Sequence, residues 1–211
     1  MDFQKLIKQR RATHHFLPDR EVTDEQFKQI IEMVRYTPSG YNAQPWEFIL
    51  IRDAERLKEI QKIAFDQAHV GQASAAVAIV GDTNLGRNKE AIVQSWIDYG
   101  YCTEAERGAY LNSIGKKRSD DKLKGMALRN ASLAAMMFML AAEEIGLSTC
   151  PMMGFSQWQM EEFLGLPDDR IVIMLMALGY ADRSQEKPQL PRKSVEEMIY
   201  LEEFGKRLKG E

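Results

Sequence analysis

The chain has 211 residues, of which 45% are apolar and 28% charged, and its 28 Lys and Arg against 31 Asp and Glu leave a formal net charge of −3. That length can bury a sizeable core and fits one domain over residues 1–211, with the composition of an ordinary soluble globular protein. The slight negative balance favours neither nucleic acid nor an anionic membrane as a partner.

The N-terminal segment 3–7 is short and amphipathic. It carries no apolar leader, so no signal peptide is expected. Next come Arg10-Arg11-Ala12-Thr13-His14-His15-Phe16, with two adjacent arginines and two adjacent histidines. Thr23 and Gln26 form a capping-box pattern. Phe27, Ile30, Ile31 and Val34 follow at helical spacing and predict an amphipathic helix ending before Pro38. Residues 46–51 read as a largely buried strand. Asp53 is the expected N-cap of a helix carrying Leu57, Ile60 and Ile63. Residues 75–80 read as a second buried strand, closed by Gly81-Asp82. The charged, Gly-interrupted segment 84–122 is the least legible, with helices expected over 91–99 and 104–114.

Residues 123–145 give the strongest helix, stopped by Gly146. Its segment 131–140 is apolar nearly all round and must be covered on all sides. One domain of this size rarely does that, so part of this surface is expected to meet a second subunit. The most apolar run, 131–142, is too short to span a bilayer. Ser156 with Gln159 is predicted to cap a helix through 164, and 171–178 is a third buried strand. A polar, Pro-containing arm follows over 181–193. Ser194 and Glu197 form a capping box for a last helix through 204. Strands and helices alternate without a βαβ rhythm, which points to an α+β layered domain.

Several chemistries lack support. Cys102 and Cys150 stand far apart with no CxxC, so neither a disulfide framework nor a zinc site is indicated, and the reducing cytoplasm is the expected compartment. Gly81 to Asn88 half resembles a P-loop, but Arg87-Asn88 stands where Lys-Ser/Thr is required. No G-x-G-x-x-G is present for a Rossmann fold, and no G-x-S-x-G for a hydrolase. His14 and His15, if extended, point to opposite faces and cannot grip one metal. With no third ligand near in sequence, no metal is expected.

Pro38-Ser39-Gly40-Tyr41-Asn42-Ala43-Gln44-Pro45-Trp46 is the most informative stretch. Prolines and a glycine break regular structure, and Ser39, Asn42 and Gln44 offer uncharged donors and acceptors. Such a loop suits a planar heteroaromatic ligand. Guanidinium forks at Arg10, Arg11 and Arg192 match phosphate bidentately. Together these parts suit a phosphate at one end and a flavin-like ring at the other.

Four motifs in order resemble the FMN-dependent nitroreductase family over essentially the whole chain. They are the Arg10–Phe16 segment, the Pro38–Trp46 loop, Gly146-Leu147-Ser148-Thr149-Cys150-Pro151-Met152-Met153-Gly154-Phe155, and Arg192-Lys193-Ser194-Val195-Glu196-Glu197. The resemblance implies a mixed sheet sandwiched by helices. It implies a two-fold, intertwined homodimer whose arm, about 181–211, embraces the partner. It also implies FMN at the subunit interface, reduced by NAD(P)H and reoxidised by a quinone or nitroaromatic in a ping-pong scheme. Arg10, Arg11, Ala12, His14 and Arg192 are expected around the phosphate or ring. Ser39, Asn42 and Gln44, from the partner, are expected to line the ring or ribityl chain, Pro151, Met153 and Gly154 to border flavin N5, and Pro38, Gly40 and Met152 are further expected cofactor-binding residues. Tyr41, His69 and Trp96 are candidate substrate-lining residues, with Asp66 and Tyr99 beside them. His14 replaces the family's usual Lys or Arg, and Ala12 a common Ser, for which Thr13 is a candidate substitute. The same fold also accommodates dehalogenases and flavin-fragmenting enzymes, and a non-catalytic FMN-binding module is a further alternative.

Overall fold

The computed structural model describes residues 2–208. Four strands form one sheet in the order β1-β2-β4-β3: β1 Trp46–Ile51, β2 Ala75–Asp82, β3 Ser148–Met152 and β4 Arg170–Gly179. The helices are α1 Phe3–Gln9, α2 Asp24–Val34, α3 Ala54–Ile63, α4 Ala68–Gln72, α5 Lys89–Asp98, α6 Arg107–Ile114, α7 Asp120–Glu144, α8 Gln157–Leu164 and α9 Val195–Met198. The expected α+β layering is present. All three ladders are antiparallel, and the parallel element is confined to one bridge between Ala12 and Thr149. An alternating apolar pattern reads the same in both directions, so strand sense was not in the sequence.

β2 lies at the centre and every residue of it is buried. Successive side chains serve opposite faces. Ala75, Val77 and Ile79 meet Ile30 and Val34 of α2 and Ala134 and Phe138 of α7. Ala76 and Ala78 meet Leu57 and Ile60 of α3 and Met160 of α8. The capping box at Thr23 and the Asp53 cap both form.

Several elements differ from expectation. β1 is an edge strand, and only Ile51 in it is fully buried, because one neighbour leaves half its surface uncovered. α4 and β3 were not predicted; α4 is five residues long, and Pro151 argues locally against a strand. Ser156 begins α8 without a side-chain cap bond. The capping box at Ser194 forms, yet α9 stops at Met198. Beyond it Tyr200 bridges Arg207, whose guanidinium lies over the Tyr200 ring and donates to Glu196 O.

α7 is the central helix, ended by Gly146 at φ 81° with its N–H on Glu143 O. By length and composition it could cross a bilayer, but half of its most apolar window is buried in the fold, as for a core helix. Its outer face keeps Leu128, Leu133 and Met136 exposed, at 49%, 50% and 41%. Cover on all sides is therefore not supplied by this chain alone.

Candidate active site at two ends of one helix

The first wall of the site is built where the chain leaves α1. Arg10 caps the helix, and the following residues lie along β3 through the Ala12–Thr149 bridge and a 3.0 Å bond from Thr13 N to Thr149 O. Extended backbone alternates its side chains. Thr13 turns inward, while Ala12 and His14 are exposed. The Thr13 hydroxyl is buried and has no partner, so it does not present a hydroxyl in place of the serine missing at Ala12.

The two arginines have different surroundings. Arg10 Nη1 rests 3.8 Å from Met139 Sδ; its guanidinium makes no hydrogen bond or close ion pair with an oxygen among the described residues, though its charge acts on the buried Glu143 carboxyl. Arg11 is committed to the C-terminal arm. It pairs with Glu186 at 3.6 Å and donates to Lys187 O. Gln189 ties the same arm to Lys8 O at 2.9 Å. Arg192, three residues on, is exposed and donates to Leu190 O at 2.7 Å.

α4 and the turn before it complete this wall. The His14 and His69 rings meet edge-on with centroids 4.9 Å apart. His69 Nε2 lies 2.8 Å from Met152 Sδ. Burial, with the neighbouring His14 second, holds the His69 pKa below its ordinary value of 6.5. Phe65 and Asp66 both adopt left-handed backbone, at φ 56° and 58°. Their turn presents Gln67, whose Nε2 donates to Gly154 O at 2.7 Å and to Ala64 O at 3.0 Å. The Gly154 N–H has no acceptor among the described residues, and Met153 beside it is exposed. Pro151 is half-buried and Met152 buried.

The second wall is the neutral loop. Tyr41, Asn42 and Gln44 all take positive φ, at 60°, 55° and 46°. Such residues cost about 1–3 kcal/mol each and persist where the surroundings impose them. Gly40 N donates to the buried Asn130 Oδ1 at 2.9 Å. Gln44 N donates to Ser39 Oγ at 2.9 Å, and Gln44 Nε2 to Asn42 Oδ1 at 3.3 Å. Pro38 is exposed, and the Thr37 hydroxyl before it is buried without a partner. Tyr41 lies 6.3 Å from Trp96, ring to ring, and Trp96 meets Tyr110 edge-on at 5.3 Å. Asn42, Ser95, Trp96, Tyr99 and Tyr101 line a cleft of about 370 Å³.

Both walls are pinned to α7. Met139 under Arg10 and Asn130 under Gly40 are separated by about nine positions, on the order of 13 Å along a helix. No hydrogen bond, ion pair or ring contact joins the two walls among the described residues. The substrate-lining candidates divide accordingly: Tyr41 and Trp96 belong to the loop wall, His69 to the other. Asn130 and Gln67 escaped the sequence reading. Asn130 carried a signal, a lone amide entering an apolar helical run; Gln67 carried none.

The profile of the Nitroreductase family matches residues 7–180. The provisionally named NAD(P)H nitroreductase MhqN of Bacillus subtilis (strain 168) is 29% identical, covering 94% of this chain and 98% of its own. The 4-nitrobenzoate reductase of Pseudomonas putida is 26% identical over 97% of each chain. A provisionally named nitroreductase from Exiguobacterium sibiricum 255-15, solved in complex with FMN, superposes with a TM-score of 0.84 at 27% identity, covering 95% of this chain and 97% of its own. With that profile spanning most of its length, the chain belongs to the nitroreductase family of oxidoreductases.

Proposed function

We propose that the protein uses FMN to pass two electrons from NAD(P)H to a quinone or nitroaromatic acceptor, one substrate replacing the other in a shared site. The observation that carries this reading is Arg10, a half-buried guanidinium with no hydrogen bond to an oxygen among the described residues; on the same wall the Gly154 N–H has no acceptor among them. A phosphate would satisfy the first and an acceptor atom of a flavin ring the second. The orphaned Thr13 hydroxyl lies within the first motif segment and that of Thr37 directly before the second, and each buried unpaired group of this kind calls for an explanation.

FMN, when bound, supplies the hydride chemistry at its N5. The chain's own residues bind and orient. Arg10 and Arg192 neutralise phosphate, His14 faces the ring system, and Gln67 fixes the Met153–Gly154 backbone. Ser39, Asn42 and Gln44 give uncharged contacts that leave the ring's charge to be set elsewhere. Trp96, Tyr99 and Tyr101 border an open cleft suited to a flat acceptor.

A dimer would bring the loop wall of one chain to the Arg10 wall of the other. The exposed face of α7 and the apolar residues of the arm, Leu190 at 78% and Phe204 at 90% exposed, support a second copy as their cover. NADH and NADPH are not distinguished by any residue described.

The test is spectroscopic and kinetic. The purified protein should be yellow with non-covalent FMN, sediment as a dimer, and give parallel initial-rate plots with NAD(P)H and a quinone. His15→Ala should keep turnover, and Asn42→Ala should lose it through a misplaced ring, since about 1 Å can cost about a hundredfold. A colourless protein that takes up no added FMN overturns the reading. FMN uptake without NAD(P)H oxidation moves it to a binding module.

A further inference from the structure

Behind the Arg10 wall, three segments distant in sequence converge on one point. The Ala12–Thr149 bridge brings the 12–14 segment alongside Cys150. α4 supplies His69, and β3 supplies Cys150 and Met152. One ligand atom each from His14, His69 and Cys150 lie within 4.8 Å of one another. Met152 Sδ is 2.8 Å from His69 Nε2 and adds a thioether to the group. Sequence spacing hid this arrangement, because it rests on His14 with His69, not on His14 with His15.

We propose that His14, His69 and Cys150, with the Met152 thioether as fourth donor, form a binding site for a soft d10 cation, Cu(I) before Zn(II). Two imidazoles, a thiolate and a thioether make a soft N2S2 set, and the cluster contains no carboxylate that would favour a hard ion. A tetrahedral metal with bonds of about 2.0–2.3 Å holds its donors roughly 3.3–3.8 Å apart. From at most 4.8 Å the three donors would contract by up to roughly 1–1.5 Å, while Met152 Sδ and His69 Nε2, 2.8 Å apart, would separate by about 0.7 Å; exposed His14 has room to rotate. His69, Cys150 and Met152 are buried and His14 is exposed, so a cation would reach the group past His14.

The protonation states suit this role. Burial, with His14 second, holds the His69 pKa below its ordinary value, a direction that favours the neutral imidazole. Burial also pushes the Cys150 thiol up to about 11, with Arg10 pulling weakly the other way. Binding therefore breaks the S–H bond, forms a sulfur–metal bond and releases the proton to solvent. The cation keeps its oxidation state, so no reductant or oxidant is consumed.

The site does not depend on the FMN reading, although His14, Met152 and His69 also stand among the residues expected around flavin or substrate. The experiment titrates the purified full-length protein with Cu(I) held by a chromophoric chelator, and separately with Zn(II) and a metal-sensitive dye. Flavin content is read from the visible spectrum of the same samples. One equivalent should bind, with Cu(I) the tighter. Cys150→Ser and His69→Gln should each weaken binding at least a hundredfold, with folding checked by circular dichroism. Cys102→Ser, remote from the cluster, should leave binding unchanged. Absence of stoichiometric binding overturns the proposal. So does metal binding that survives Cys150→Ser, or that is lost in Cys102→Ser. A flavin-free protein that still binds one metal leaves this site standing and sinks the FMN reading instead.

Discussion

Asn130 holds the neutral loop from below: its Oδ1 accepts from Gly40 N at 2.9 Å while its Nδ2 donates to Met126 O at 2.7 Å. One buried amide thus ties a strained loop to the core helix. Asn130→Ala removes both bonds and strands the Gly40 N–H. It should lower stability by about 1–3 kcal/mol and weaken FMN uptake more than tenfold. Denaturant unfolding and flavin titration of the apoprotein check this. Wild-type flavin affinity would show that the loop keeps its shape without Asn130.

Gln67 plays the matching part on the other wall, donating to Gly154 O. Gln67→Ala should leave the fold intact but shift the midpoint potential of bound flavin, because the Gly154 backbone is no longer fixed. Gln67→Glu should be worse, since an ionised carboxylate offers a carbonyl no hydrogen. Spectroelectrochemistry reads the shift; identical potentials in both variants would remove Gln67 from the site.

The cations near the phosphate should separate by their present partners. Arg10→Ala should cost roughly tenfold or more in FMN affinity, the worth of a charged hydrogen bond at about 1.5–3 kcal/mol. Arg192→Ala should also exceed Lys193→Ala, because a guanidinium grips phosphate directionally. Arg11→Ala should chiefly loosen the arm, since Arg11 is held by Glu186 and Lys187 O. Calorimetry on the four variants decides, and an Arg11 loss larger than that of Arg10 would assign the clamp to the wrong residue.

Acid should destabilise the protein through His69. Its folded pKa lies below the ordinary 6.5, so below that pH the unfolded chain takes a proton that the folded chain refuses. Stability is therefore full above about pH 6.5 and falls as pH drops toward the folded value, below which the penalty is constant. His69→Gln should flatten the fall in denaturant midpoint across that window. An unchanged slope would assign the acid limb to other groups.

The sequence by itself determined the layers and the motifs. Capping at Thr23 and Asp53, the helical spacing of Phe27 to Val34, the buried run at β2 and the Gly146 stop are local, because each rests on neighbours within a turn or a strand. The four motif segments were legible for the same reason: their residue types and breaks stand next to one another in the chain. The tertiary structure decided what no local pattern encodes. It set strand sense, paired Asn130 with Gly40 across 90 positions, committed Arg11 to the arm while leaving Arg10 open, and turned the Thr13 hydroxyl inward. It also gathered His14, His69 and Cys150. Such contacts depend on which surfaces meet after the sheet closes between α2, α7, α3 and α8, and the free energy that fixes them is spread over the whole core.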